Sequence, residues 1–120
     1  MTQTDLRSRA ADAVTSALDP VFFNACCEPV RLQIIRRLIE CDAADIGEIA
    51  KGFSQDRSVI SRHLSILERA GVVLSEKAGR RVVYTLDGPH IVARFETLLQ
   101  AMQDLVRICC PDPERPQDDT

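Results

Sequence analysis

The sequence predicts a mainly α-helical chain with a small β-hairpin (α+β), arranged as a winged helix-turn-helix. Three observations predict it. Residues 45–86 read as a short helix, a turn, a second helix and a strand pair. The second helix carries Arg57, Ser58, Ser61, Arg62 and His63 on one side, and Lys77, Arg80 and Arg81 surround the tip of the strand pair. The charge is divided to match: residues 51–81 are net +4, residues 1–50 net −3 and residues 82–120 net −4. This order suits one helix lying in the major groove of duplex DNA with a hairpin beside it. A local excess of cations is where a polyanion docks.

The elements follow in chain order. Over residues 5–18, Leu6, Ala10, Ala13 and Ala17 recur at helical spacing with Val14 and Leu18 beside them, giving an amphipathic helix with a smooth face. Asp19-Pro20 pairs an N-cap residue with proline at the first helical position, so a new helix starts there. Pro29 marks a break or the first turn of the next helix. Val30, Ile34 and Leu38 form one apolar stripe and Leu32, Ile35 and Ile39 another, so residues 29–40 are expected to form a largely buried helix.

Asp45 and Glu48 form a D-x-x-E capping box that opens the first helix of the reading motif, and Gly52 ends it. Asp56 is the N-cap of the second helix, Ile60, Leu64 and Leu67 face inward, and Gly71 is the C-cap signal. Strands are expected at 72–77 and 81–86, joined at Ala78-Gly79. Asp87-Gly88-Pro89 is a turn, and the last helix runs over 89–109. Its Ile91, Phe95, Leu98, Met102, Leu105 and Cys109 make a heptad-like seam, with Val92, Leu99 and Val106 as a second row. So wide an apolar face needs a partner. The first and last helices together are therefore expected to form the interface of a homodimer, which would set two reading helices on half-sites about one turn, ~34 Å, apart.

Residues 1–110 are read as a single DNA-binding and dimerisation domain, and the Pro-rich acidic stretch 111–120 as a disordered tail. No apolar run approaches the ~20 residues of a membrane span, and the first residues lack the apolar core of a secretory signal. A cytoplasmic protein without a membrane partner is the expectation. Neither a phosphate loop, a nucleophile elbow nor a recognisable Cys/His pair is present, which argues against an enzyme. A protein-docking winged helix is the other class, and it would lack the steep salt dependence of duplex binding.

On the reading helix an arginine can bind guanine bidentately, for about 1–3 kcal/mol of discrimination. The serines more often hold phosphates and set register. His63 can bond a phosphate or pack on the neighbouring helix. Lys77, Arg80 and Arg81 would meet the DNA backbone or the minor groove.

The segment SVISRHLSILERAGVV, preceded by EPVRLQIIRRL and followed by a basic hairpin ending in VVYTL, resembles the ArsR (ArsR/SmtB) family of metal- and stress-responsive repressors. EPVRLQII is similar to the family's D-P-x-R-L-x-I-L, and ISRHLSILERAG to its V-S-x-H-L-x-x-L-x-x-A-G; the likeness covers about residues 20–108. The resemblance implies a homodimeric repressor of double-stranded operator DNA, with long first and last helices at the interface, that lets go when an inducer binds. It puts Ser58, Ser61, Arg62 and His63 on the family's DNA-facing positions. One departure concerns the helix opening. The family's Ser-Gln pair there is Ser54-Gln55 here, two residues early, and Asp56-Arg57 takes its place.

Five cysteines, Cys26, Cys27, Cys41, Cys109 and Cys110, stand beside only two histidines, His63 and His90. The family's C-V-C-D-L-C site is reduced here to Cys41, and its zinc-type site on the last helix to His90. A borderline metal would lack nitrogen ligands. A thiol-rich, histidine-poor set favours soft ions, with trivalent arsenic or antimony foremost. Neighbours on a helix diverge by about 100° and chelate poorly, but Pro111 stops the helix just after Cys109 and Cys110. Cys26, Cys27, Cys109 and Cys110 are the expected inducer ligands, with no constitutive cofactor. The alternative is a redox or persulfide sensor using the same thiols. The remaining reading makes several of the cysteines, Cys41 and Cys109 first, apolar filler.

Overall fold

The computed structural model describes residues 2–110. The expected tail at 111–120 lies outside them. Six helices and three strands follow in the order α1 (Gln3–Ala17), α2 (Pro20–Cys27), α3 (Pro29–Cys41), β1 (Ala44–Asp45), α4 (Ile46–Ala50), α5 (Arg57–Arg69), β2 (Val73–Ala78), β3 (Arg81–Leu86) and α6 (Gly88–Cys109). Among the described residues no helix is long and apolar enough to cross a membrane.

The chain gathers into two compact units. Among the described residues, one holds 2–18 and 94–110; the other is Asp19–Ala93. In the first, α1 meets α6 through Val14, Ala17 and Ala101, with Leu98 and Leu105 packed against them. The α6 seam therefore divides. Leu98 and Leu105 serve α1, while Phe95, Leu99, Met102 and Val106, at 4-3-4 spacing, stay exposed.

In the second unit the core is built from Phe22, Ala25, Ile34, Leu38, Ile49, Ile60, Leu64, Leu67, Val72 and Val73. Every expected cap is made. Asp19 accepts from the N–H of Val21 at the start of α2; Glu28, which the sequence did not mark as a cap, accepts from that of Arg31 at the start of α3. Asp45 and Glu48 close their capping box, and Asp56 accepts from the N–H of Val59. Each of these side chains satisfies N–H groups that a helix start leaves without partners.

The expectation for α3 needs correction. Ile34 and Leu38 are fully buried, but Leu32 is 51% and Ile39 66% exposed. Both stripes have helical spacing, but of the second only Ile35 packs against the core.

The sheet also has a strand more than expected. β1, two residues long, pairs antiparallel with β3 through Ala44–Tyr84 and Asp45–Val83, giving the order β1-β3-β2. The hairpin register pairs Val73 with Leu86 and Ala78 with Arg81, leaving Gly79-Arg80 as the loop. Gly79 has φ 68°, so glycine takes the left-handed first position of a two-residue hairpin loop.

Candidate nucleic-acid interface and thiol sites

Helix α5 is strongly two-sided. Ile60, Leu64 and Leu67 are fully buried, while Arg57, Ser58 and Arg62 are exposed on the other side. Burial of the apolar row fixes the helix on its platform, and the outward row is what a ligand meets. Arg57 begins the helix, and its guanidinium lies over Gly47 of α4, where an added Cβ would run into Nη2. The Arg57 side chain thus packs back from α5 onto α4 across the turn between them.

Ser58 donates its hydroxyl to Asp56 Oδ1 at 2.6 Å. The Ser58 hydroxyl and then the Val59 N–H hold the Asp56 carboxyl below its ordinary range. Ser61 is half-buried. His63 is tied inward: its Nδ1 lies 3.2 Å from Arg31 Nη1 and 3.7 Å from Glu28 Oε2. Of its two expected roles, this structure realises the contact with the neighbouring helix.

On the hairpin, Lys77 and Arg80 are exposed. Arg81 is engaged elsewhere, donating to Asp45 Oδ2 at 2.8 Å and to Glu48 Oε1 at 2.6 Å. Those two carboxylates are the capping box of α4, so Arg81 fastens β3 to the first helix of the reading motif. The N–H of Glu48, and after it Arg81, lower the Asp45 carboxyl below the usual range. Nothing local in the sequence marks this tie, because the partners are 36 and 33 residues apart. Ser75 donates to Glu68 Oε2 at 2.6 Å and joins β2 to α5 in the same way.

All five cysteines are free thiols. Cys26 and Cys27 end α2 in the second unit; Cys26 is half-buried against the core and Cys27 exposed. Burial, and then the neighbouring Cys27, push the Cys26 thiol up, with Arg31 opposing. Cys41 is exposed at the end of α3.

Cys109 ends α6 in the first unit and Cys110 follows it, with their sulfurs 3.1 Å apart. The Cys110 N–H still bonds to the Val106 carbonyl at 3.0 Å. The hydrogen bond with Cys109, and then its charge, raise the Cys110 thiol, and Arg7 opposes them. The two cysteine pairs thus lie in different units. Among the described residues no group of three or more His, Cys, Asp or Glu is gathered to hold a metal ion. A soft centre that accepts two sulfurs fits the Cys109–Cys110 pair. His90 is exposed at the start of α6, its ring edge-on to Phe22 with centroids 6.2 Å apart.

Comparison with known proteins places this geometry. Residues 28–75 match the family described as bacterial regulatory protein, arsR family. The chain is similar to the HTH-type transcriptional regulator NmtR of Mycobacterium tuberculosis, with 31% identity over 100 residues, covering 83% of this chain and 78% of that protein. It is similar to the arsenical resistance operon repressor of Escherichia coli, with 34% identity over 71 residues, 59% of this chain and 65% of that one. Among solved structures it resembles the ArsR-like transcriptional regulator from Rhodococcus sp. RHA1, with TM-score 0.66 and 25% identity over 72% of this chain and 81% of that one.

Proposed function

This chain belongs to the arsR family of bacterial regulatory proteins, and from that premise we propose that it represses transcription as a homodimer until a thiol-binding inducer releases it from its operator. It is a DNA-binding transcription regulator and not an enzyme. Arg57, Ser58, Ser61 and Arg62 of α5 read or grip the duplex while His63 braces the helix through Arg31, and Lys77, Arg80 and Arg81 of the hairpin flank it. The exposed row Phe95, Leu99, Met102 and Val106 on α6 supports pairing with a second copy. The protein acts in the cytoplasm, where its thiols stay reduced.

The inducer is trivalent arsenic or antimony, or another soft metal. The observation that carries this is the 3.1 Å separation of the Cys109 and Cys110 sulfurs. One large thiophilic atom can bridge two sulfurs that close. With arsenite, each As–S bond forms as a thiol proton leaves with an As–OH group, as water. Cys26 and Cys27 are the further thiols of the set. The similarity to an arsenical resistance repressor points the same way.

The same pair favours one alternative, a redox or persulfide response. A peroxide could take two electrons and two protons from the pair, forming a disulfide and water. Gel shift on the DNA upstream of the protein's own coding region separates the two, with arsenite, antimonite, mercury, peroxide and persulfide added singly. Release by arsenite or antimonite supports the proposal. Release by oxidant alone transfers the function to the alternative.

A further inference from the structure

One side chain joins three elements of the second unit. Arg31, in the first turn of α3, donates through Nε to the carbonyl of Ala25 at 2.9 Å and through Nη2 to that of Asn24 at 3.1 Å. Both carbonyls lie in the last turn of α2, where a helix leaves its C=O groups without internal partners and where a cation is favoured. The third guanidinium nitrogen, Nη1, faces His63 Nδ1 on the reading helix at 3.2 Å. The backbone N–H of Arg31 is meanwhile anchored on Glu28 Oε2 at 2.9 Å.

The chemistry of this contact fixes the histidine. A guanidinium only donates, so in this contact Nδ1 is the acceptor. Glu28 Oε2 lies farther from the same nitrogen, at 3.7 Å.

Cys26 and Cys27 follow directly on the two carbonyls that Arg31 holds. A ligand that draws on either thiol must shift the last turn of α2. The carbonyls then pull on the guanidinium, and the guanidinium bears on His63. We propose that Arg31 is the positioning residue that couples the end of α2 to the reading helix, so that capture of an inducer at Cys26 or Cys27 re-aims α5 within one subunit. This rests on the reading above that Cys26 and Cys27 take part in inducer capture.

Arg31→Lys is the test. Lysine keeps the charge, but its compact ammonium cannot serve three acceptors in the fork geometry. Operator Kd is measured on the full chain with and without arsenite, and arsenite uptake by intact mass. The variant should take up arsenite as the wild type does and bind operator within about threefold, while the ratio of the two Kd values falls about tenfold, within the usual span of allosteric coupling. Ring-nitrogen NMR supplies a readout that a general loss of stability would not move. Arsenite should shift the His63 Nδ1 resonance in the wild type and leave it in place in Arg31→Lys. His63→Leu should reduce the ratio as Arg31→Lys does, since a ratio cancels any change in basal affinity. If Cys26→Ser abolishes the response while Arg31→Lys keeps the full ratio, the coupling is overturned and the proposed function stands. If Cys26→Ser, Cys27→Ser and Arg31→Lys all respond fully, both the coupling and the assignment of these thiols fall.

Discussion

Replacing Gly71 by alanine tests how the reading helix is joined to the hairpin. Gly71 follows α5 with φ 79°, and a Cβ there would stand 2.5 Å from His90 Nε2 and 2.6 Å from its Cδ2. Two costs follow. The left-handed backbone costs an L-residue about 1–2 kcal/mol. The His90 ring, an exposed side chain that can swing aside, must also give up its edge contact with Phe22, worth about 0.5–1.5 kcal/mol. Gly71→Ala should therefore destabilise the fold by roughly 1.5–3.5 kcal/mol in urea unfolding at fixed protein concentration, with the m-value unchanged. In a His90→Ala background only the backbone cost remains, so the same substitution should fall to about 1–2 kcal/mol. Equal cost in both backgrounds would show that the ring does not oppose the methyl group, and a cost near zero in the wild type would refute the backbone argument as well.

Other expectations are simpler. Asp42 has φ 67° and ψ −54° and closes a tight turn in which the Ala43 N–H bonds to the Cys41 carbonyl at 2.8 Å; this strained γ-turn suits glycine, so Asp42→Gly should raise stability by about 1 kcal/mol, and an unfolding midpoint at or below wild type would contradict that. Asp45 titrates below its unfolded value, so its contribution is complete above about pH 4 and is lost as pH falls through the lowered native value; a carboxyl NMR titration of Asp45 at or above about 3.9 would remove the basis for it. Leu99→Glu puts a charge in the middle of the exposed α6 row, and sedimentation should then find monomer where the wild type is a dimer; an unchanged dimer would move the interface elsewhere.

Capping chemistry was the most legible layer of the sequence. Asp19-Pro20, the Asp45/Glu48 box, Asp56 and Gly71 each announce a boundary, and each boundary lies where those residues put it. Such signals are local, operating within a turn of helix. What escaped was non-local. β1 is two residues long, too short for any alternation, and exists only because β3 offers a free edge. The ties of Arg81 to Asp45 and Glu48, and of Arg31 to His63, span 36, 33 and 32 residues. Periodicity named both apolar stripes of α3, but it cannot say which one the neighbouring elements will cover. The adjacent thiols were visible, and the helix stop after them gave the reason to expect convergence. That the two cysteine pairs fall in different units depends on long-range placement, which no local pattern encodes.

The Arg81 tie also changes how charge on the hairpin should be counted. In the sequence, Lys77, Arg80 and Arg81 look like three equivalent cations for a DNA backbone. In the structure Arg81 already faces two carboxylates, at 2.8 and 2.6 Å, so its charge is largely balanced before any duplex arrives. Lys77 and Arg80 remain exposed on the same hairpin. Each phosphate neutralised by an unbalanced cation adds about 0.9 to the steepness of log K against log salt. Arg80→Ala should therefore weaken operator binding and flatten that slope by about one per subunit, with the fold intact. Arg81→Ala should leave the slope nearly unchanged while loosening the hairpin from α4, seen as faster amide exchange in β1 and β3. If Arg81→Ala flattens the slope as much as Arg80→Ala does, then Arg81 leaves Asp45 and Glu48 on binding, and the capping box of α4 must be re-formed around the DNA.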